Sequence, residues 1–209
     1  LVQRTAIGAT TSAVAGREWE GQGNPGLDDI FGIWGIDGID PFFLTAYTVA
    51  WTVGANGTIQ RWDGTNWTAA TSPVATNLNA VWGTSASNVW AVGDGGVILR
   101  WNGTVWNTVA SGVTDDLRGV WGTASGNIWA VGMAGTILHW NGSAWATQVS
   151  GTTDDLYAIW GSSTADVWAV GESGRICWWN GTAWTTVTSP TGNTLLSVWG
   201  SSPWDAWAC

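Results

Sequence analysis

Tryptophan recurs at fixed intervals along this chain. An aliphatic-Trp-Gly motif centred on Trp82 returns at Trp121, Trp160 and Trp199, each step being 39 residues. Three more series keep the same spacing: Trp90, Trp129, Trp168 and Trp207; Trp62, Trp101, Trp140 and Trp179; Trp67, Trp106, Trp145 and Trp184. Self-similarity at a period near 40 residues is the signature of a repeat array, in which each unit buries its apolar face only against its neighbours.

One unit reads as four short strands. Residues 78–82, 88–92 and 97–101 and the residues around Trp106 are β-branched or aromatic and bounded by turn residues. Helical periodicity is absent. Asn102-Gly103 predicts a type I′ hairpin between strands three and four, and Asp63-Gly64, Asn141-Gly142 and Asn180-Gly181 repeat it. Read as a two-residue hairpin, the turn between Gly93 and Gly96 sets Val92 opposite Val97 and Trp90 opposite Leu99. Trp90, Val92, Leu99 and Trp101 are then expected on one face, with Val89, Ala91 and Ile98 on the other. The expected fold class is all-β: a five-bladed β-propeller with four antiparallel strands per blade.

The blades are expected at about 27–70, 78–109, 117–148 and 156–187, with a fifth formed by 195–209 plus 1–22. Blade one departs from the period. Trp34 and Trp51 are 17 residues apart rather than 8, so a nine-residue insertion lies within 35–50. Trp19 precedes Trp34 by 15 residues, as Trp67 precedes Trp82, which makes Trp19 a fourth-strand tryptophan. The fifth blade is therefore expected to be closed by strands from both termini, removing open sheet edges.

The run from Trp90 to Trp106, Trp-Ala-Val-Gly-Asp-Gly-Gly-Val-Ile-Leu-Arg-Trp-Asn-Gly-Thr-Val-Trp, resembles bacterial BNR-type propeller repeats. Such repeats occur in sialidase-like proteins and in photosystem assembly factors. The match covers residues 27–209 in repeated form. It departs at the Asp-box turn, where the family has Asp-x-Gly-x-x-Trp and this chain keeps the Asp only at Asp63. Five blades of this size also resemble tachylectin-type lectins, which implies a carbohydrate-binding role by analogy of fold.

Charge excludes several functions. Charged residues make up 10% of the chain, lysine is absent, and the net charge is −9. A nucleic-acid partner needs a basic footprint, and none is encoded. No apolar run is long enough for a transmembrane helix, and no signal peptide is recognisable at Leu1. Two cysteines cannot form a disulfide framework or a structural zinc site. Cys177 and Cys209 are not expected to bond. The single histidine, His139, occupies a position held elsewhere by Arg61, Arg100 and Trp178, which reads as an ordinary strand residue. No histidine triad, P-loop or dinucleotide fingerprint is present. The acids recur with the repeat instead of forming one asymmetric pair. No catalytic residue, metal ligand or cofactor is expected, and the chain reads as non-enzymatic.

The paired acids Asp28-Asp29, Asp115-Asp116 and Asp154-Asp155 precede strand one in three blades. They read either as solvated turn residues or as acceptors for sugar hydroxyls. The position after the strand-one leucine varies freely as Phe31, Asn79, Arg118, Tyr157 and Leu196. Asp28, Asp29, Phe31, Asp115, Asp116, Arg118, Asp154, Asp155 and Tyr157 are therefore the candidate ligand-binding residues, grouped between blades. The insertion carries Phe42, Phe43, Leu44 and Tyr47 and reads as a loop against the ring or as a contact for a partner protein. The expected function is a secreted or cell-surface (or periplasmic) binding module, a multivalent lectin for glycans. The alternative is a structural or interaction subunit of an extracellular assembly.

Overall fold

The computed structural model describes residues 29–39 and 46–209, and these form antiparallel sheets in chain order. The first sheet comprises β1 (Ile30–Ile39), β2 (Ala46–Gly54), β3 (Ile59–Trp62) and β4 (Trp67–Ala69). The second comprises β5 (Leu78–Ser85), β6 (Asn88–Gly93), β7 (Ile98–Trp101) and β8 (Trp106–Thr108). The third comprises β9 (Leu117–Ala124), β10 (Asn127–Gly132), β11 (Ile137–Trp140) and β12 (Trp145–Gln148). The fourth comprises β13 (Leu156–Ser163), β14 (Asp166–Gly171), β15 (Ile176–Trp179) and β16 (Trp184–Val187). A two-stranded sheet, β17 (Val198–Ser202) and β18 (Asp205–Ala208), ends the chain. Within every sheet the strands pair in chain order, as up-and-down connections with short turns demand.

The first strands β1, β5, β9, β13 and β17 lie side by side in succession, but β17 does not pack back onto β1. The described chain is thus an open arc of sheets, and the closed ring expected from the repeat is corrected on this point. Residues 1–22, expected to close the fifth blade, lie outside the described residues, as does Asp28.

The turn between second and third strands corrects the expected register. Val92 pairs with Ile98, Ala91 with Leu99, Trp90 with Arg100 and Val89 with Trp101. The loop is one residue longer than a two-residue hairpin: Asp94–Gly96 make a single 3-10 turn, and the Gly93 N–H donates to the Val97 carbonyl at 2.9 Å. A one-residue shift moves a whole strand to the other face. Leu99 and Trp101 therefore join Val89 and Ala91 against the first sheet, while Trp90, Val92 and Ile98 pack against the third. Cys177, the counterpart of Leu99, is buried, Cys209 is exposed, and both are free thiols. Burial pushes the Cys177 thiol up to about 11.

Two further turns differ from expectation. Asn102 does not adopt positive φ, as a type I′ turn requires; only Gly103 does, at 97°. The loop is closed instead by the Asn102 carboxamide oxygen, which accepts the Thr104 and Val105 N–H groups at 2.9 and 3.0 Å. Asp63 does the same for Thr65 and Asn66, and those bonds hold its carboxyl below the usual range. The insertion lengthens a hairpin: β1 and β2 stay paired from Trp34↔Trp51 out to Ile39↔Ala46. This ladder projects from the end opposite the 3-10 turns. Phe42, Phe43 and Leu44 lie outside the described residues.

The core sits between sheets. Trp51, on β2, meets Trp101 at 4.8 Å and Trp106 edge-on at 5.1 Å, both from the next sheet. Trp90 meets Trp140 and Trp145 in the same way, and Trp129 meets Trp179 and Trp184. The N–H groups of Trp51, Trp90 and Trp129 find no hydrogen-bond acceptor, at a cost of about 1–3 kcal/mol each. Removing about 200 Å² of indole from water is worth about 5 kcal/mol, so burial wins.

A planar side chain covers the other side of each second-strand indole. Arg61 lies over Trp51 at 5.6 Å and Arg100 over Trp90 at 5.1 Å. His139 stacks on Trp129 at 4.1 Å, and Trp178 lies beside Trp168 at 5.8 Å. Each pair is directly cross-strand. The position of Arg61, Arg100, His139 and Trp178, which reads as an ordinary strand position, therefore carries a flat group in all four sheets. Each is also tethered in three of the sheets: Asn88 accepts from Arg100 Nε at 2.9 Å, Asn127 bonds His139 Nε2 at 2.6 Å, and Asp166 accepts from Trp178 Nε1 at 2.7 Å.

Two predictions arise here. The middle residue of the 3-10 turn is left-handed in all four sheets, and it is Gly only at Gly95 (φ 66°); Ala134 has φ 52°. A side chain costs about 1 kcal/mol in that region. Ala134→Gly should therefore raise urea-unfolding stability by up to about that amount. Gly96→Ala should lower it strongly, because its Cβ would collide with the Val113 carbonyl. Burial lowers the His139 pKa below its ordinary value. The unfolded chain then takes up the proton first, so this contribution is complete above the ordinary histidine pKa and is lost as pH falls through the folded value. Between pH 7 and pH 5, His139→Arg, which reproduces the Arg100 arrangement, should lose less stability than the parent protein in matched urea titrations.

Candidate functional site

The end of the arc that carries the 3-10 turns gathers the acidic candidates. Each first strand begins just after a short connection from the sheet before it, and the second acid of each pair sits at that junction. The Asp116 backbone carbonyl accepts the Met133 N–H of its own sheet at 2.9 Å. Its carboxylate Oδ1 accepts the Gly95 N–H of the preceding sheet at 2.8 Å. Asp155 repeats this with Glu172 and Ala134, at 2.8 and 2.9 Å. Asn77 substitutes in the second sheet, its side chain accepting the Asn56 N–H at 3.2 Å. One residue thus clasps two neighbouring sheets at a left-handed turn whose N–H would otherwise face solvent.

Asp115 and Asp154, the first acids of the two fully described pairs, each tie down their own sheet. Asp115 Oδ2 accepts the Thr136 hydroxyl at 3.1 Å. Asp154 Oδ2 accepts Arg175 Nε at 2.7 Å and pairs with its Nη2 at 2.6 Å. The Arg175 hydrogen bond holds the Asp154 carboxyl below the usual range. Asp29 is exposed, and its carbonyl accepts the Ala55 N–H at 2.8 Å.

Inside this clasp lies a row with one residue per sheet. Asn79 donates to Asp94 Oδ1 at 2.8 Å and to the Leu117 carbonyl at 2.9 Å. Arg118 Nη2 donates to Asp116 at 2.9 Å, and Nη1 reaches Asp94 at 3.5 Å. Tyr157 is half-buried; burial raises its hydroxyl pKa, with Asp155 and Glu172 adding to the effect. Phe31 and Leu196 close the two ends of the row, 45% and 49% exposed. The structure therefore brings Arg118 and Asp116 into direct contact and sets Tyr157 near Asp155. Phe31 stands at the far end. Among the described residues, no group of three or more His, Cys, Asp and Glu is placed to hold a metal ion.

No family model and no curated protein matches this chain by sequence. Solved structures do match in three dimensions. One, described as YCF48 bound to D1 peptide, aligns with a TM-score of 0.58 and 18% identity, covering 77% of this chain and 57% of that one. Another, YCF48 from Cyanidioschyzon merolae, aligns with a TM-score of 0.60 and 16% identity, covering 77% and 60%. The fold is that of a β-propeller. The chain spans less than two thirds of the length of these propellers.

On a propeller scaffold, each blade contributes one residue at the same place on the rim, so Phe31, Asn79, Arg118, Tyr157 and Leu196 form a row of changing chemistry on constant geometry. The sequence marks these positions by their variability. It hides the clasping role of Asp116 and Asp155, because their partner N–H groups lie 21 residues away in the preceding blade. Asp116→Ala removes the Gly95 bond and the shorter of the two Arg118 ion pairs. It should cost about 1 kcal/mol in urea unfolding, and Asp155→Ala a similar amount. The double variant should be close to additive, because the two clasps share no partner.

Proposed function

We propose that this protein is a non-enzymatic interaction module whose turn-bearing rim holds an extended segment of a partner polypeptide. The observation that carries this reading is the row Phe31, Asn79, Arg118, Tyr157 and Leu196: exposed apolar groups at both ends, with polar groups between them. Among the described residues, acids dominate the surroundings: Asp94, Asp115, Asp116, Asp154, Asp155 and Glu172 stand at this end with Arg118 and Arg175. The segment it suits carries apolar side chains with basic ones between them. A similar propeller solved with a peptide bound is a precedent for such use of the fold.

The glycan reading asks the paired aspartates for free acceptor oxygens. Asp116 and Asp155 each spend one on a neighbouring blade, and Asp115 and Asp154 each spend one on their own. Polypeptide binding makes no such demand. The test is fluorescence anisotropy with two labelled twelve-residue peptides, one alternating Leu with Lys and Arg, the other alternating Leu with Glu. The basic peptide should bind and the acidic one should not. Tyr157→Ala and Leu196→Asp should each weaken binding about tenfold, the usual loss for a truncated anchor. Equal binding of both peptides, or none, would reject the proposal. Glycan-array binding lost in Asp116→Ala/Asp155→Ala would restore the lectin.

A further inference from the structure

The turn between third and fourth strands brings the same chemical parts together in three blades. Asn102, Asn141 and Asn180 are exposed, and so are the glycines that follow them, Gly103, Gly142 and Gly181. Blades two and three have a described blade on either side, so the exposure of Asn102 and Asn141 owes nothing to the ends of the chain. Each carboxamide oxygen sits in a fork of backbone donors. Asn102 accepts the Thr104 and Val105 N–H groups at 2.9 and 3.0 Å, Asn141 those of Ser143 and Ala144, both at 3.0 Å, and Asn180 those of Thr182 and Ala183 at 2.9 and 3.0 Å. At Asn141 the Ser143 hydroxyl adds a third donor at 2.8 Å.

Such a fork acts on a carboxamide as an oxyanion hole acts on an acyl group. It draws electron density onto oxygen, and its bonds strengthen as charge develops there. The carbon Cγ is left open to a nucleophile, and the nearest one along the chain is the backbone nitrogen of the following glycine. Among the described residues, the N–H groups of Gly103, Gly142 and Gly181 and the carboxamide nitrogens of the three asparagines make no hydrogen bond. Glycine also sets no Cβ beside the attacking atom. A further Asn-Gly pair, Asn56-Gly57, lacks this freedom: Gly57 is buried tight against the Val74 carbonyl, which leaves its backbone no room to swing into a ring.

We propose that Asn102, Asn141 and Asn180 are deamidation sites of the folded protein, each turn activating its own carboxamide, and that Asn141 reacts first. The glycine nitrogen gives its proton to hydroxide and bonds to Cγ, and the carbonyl π pair moves onto Oδ1. Return of that pair expels the carboxamide nitrogen, which takes a proton from water and leaves as ammonia. Water then opens the five-membered imide. Opening at Cγ restores the main chain and leaves aspartate; opening at the main-chain carbonyl leaves isoaspartate. In either case the balance is asparagine plus water giving the acid plus ammonia. Blade one already carries the aspartate form. Asp63 holds the same turn position, and its Oδ1 accepts the Thr65 and Asn66 N–H groups at 2.8 and 2.9 Å. The aspartyl product therefore keeps the turn, and each conversion adds one negative charge at the end opposite the 3-10 turns.

Incubation of the folded full chain at mildly alkaline pH in heavy-oxygen water, followed by peptide mapping, tests this. Label is expected at positions 102, 141 and 180 and not at 56, with Asn141 converting about threefold faster than Asn102, as one added hydrogen bond allows. Ser143→Ala, at an exposed position, should slow Asn141 to the pace of Asn102 and leave Asn102 unchanged. Asn102→Asp should melt no lower than the parent protein, because Asp63 makes the same bonds. The proposal is overturned by a folded chain that takes up no label, by conversion that occurs only in urea, or by conversion at Asn56 as fast as at the three turns. A Ser143→Ala protein whose Asn141 reacts at the parent rate would remove the activating role of the fork. A lower melting temperature for Asn102→Asp would show that the product breaks the turn.

Discussion

The grip of one indole by two from the next blade is the contact on which the architecture depends. A sheet of four short strands cannot bury its faces alone, and the described blades solve this by offering one large aromatic knob forward and a two-indole socket backward. Three such joints hold four blades in line. Their geometry is tilted and edge-on, which suits ring quadrupoles better than a flat sandwich. The unbonded N–H groups of Trp51, Trp90 and Trp129 show that area outweighs polar satisfaction at these joints. The flat groups Arg61, Arg100, His139 and Trp178 complete the enclosure from the partner strand and keep each knob oriented.

The clasp at the turn end depends on the same spacing. Only when neighbouring blades sit at the distance set by the indoles can Asp116 and Asp155 reach back to a left-handed turn in the blade before. That clasp engages Asp116 and Asp155, while in the row between Phe31 and Leu196 Asn79 and Arg118 are themselves tied to Asp94 and Asp116.

Much of this was legible in the residues. The four tryptophan series located the strands, because indoles at constant offsets imply constant surroundings, and the alternation of apolar residues set their class. Register was not legible. Gly93 through Gly96 fits both a two-residue hairpin and a longer 3-10 loop, and the one-residue difference decides whether Leu99 and Trp101 face forward or backward. The stacking series was overlooked for a different reason. Arginine, histidine and tryptophan share no hydropathy or charge, and only flatness unites them, which becomes visible once each is seen across from an indole. Of the candidate residues, the repeat register gives the equivalence of Phe31, Asn79, Arg118, Tyr157 and Leu196, whereas it does not give the clasping role of the acids, since nothing local ties Asp116 to Gly95.

The sequence by itself determined the all-β class and the strand order within each blade, because these follow from periodicity and turn chemistry over a few residues. Tertiary structure alone decided whether the ends meet. A closed ring requires the rotation between successive blades to add up to a full turn. That rotation comes from side-chain volumes packed at every joint, a small quantity accumulated over the whole arc, and no count of repeats contains it. Among the described residues, β17 does not return to β1.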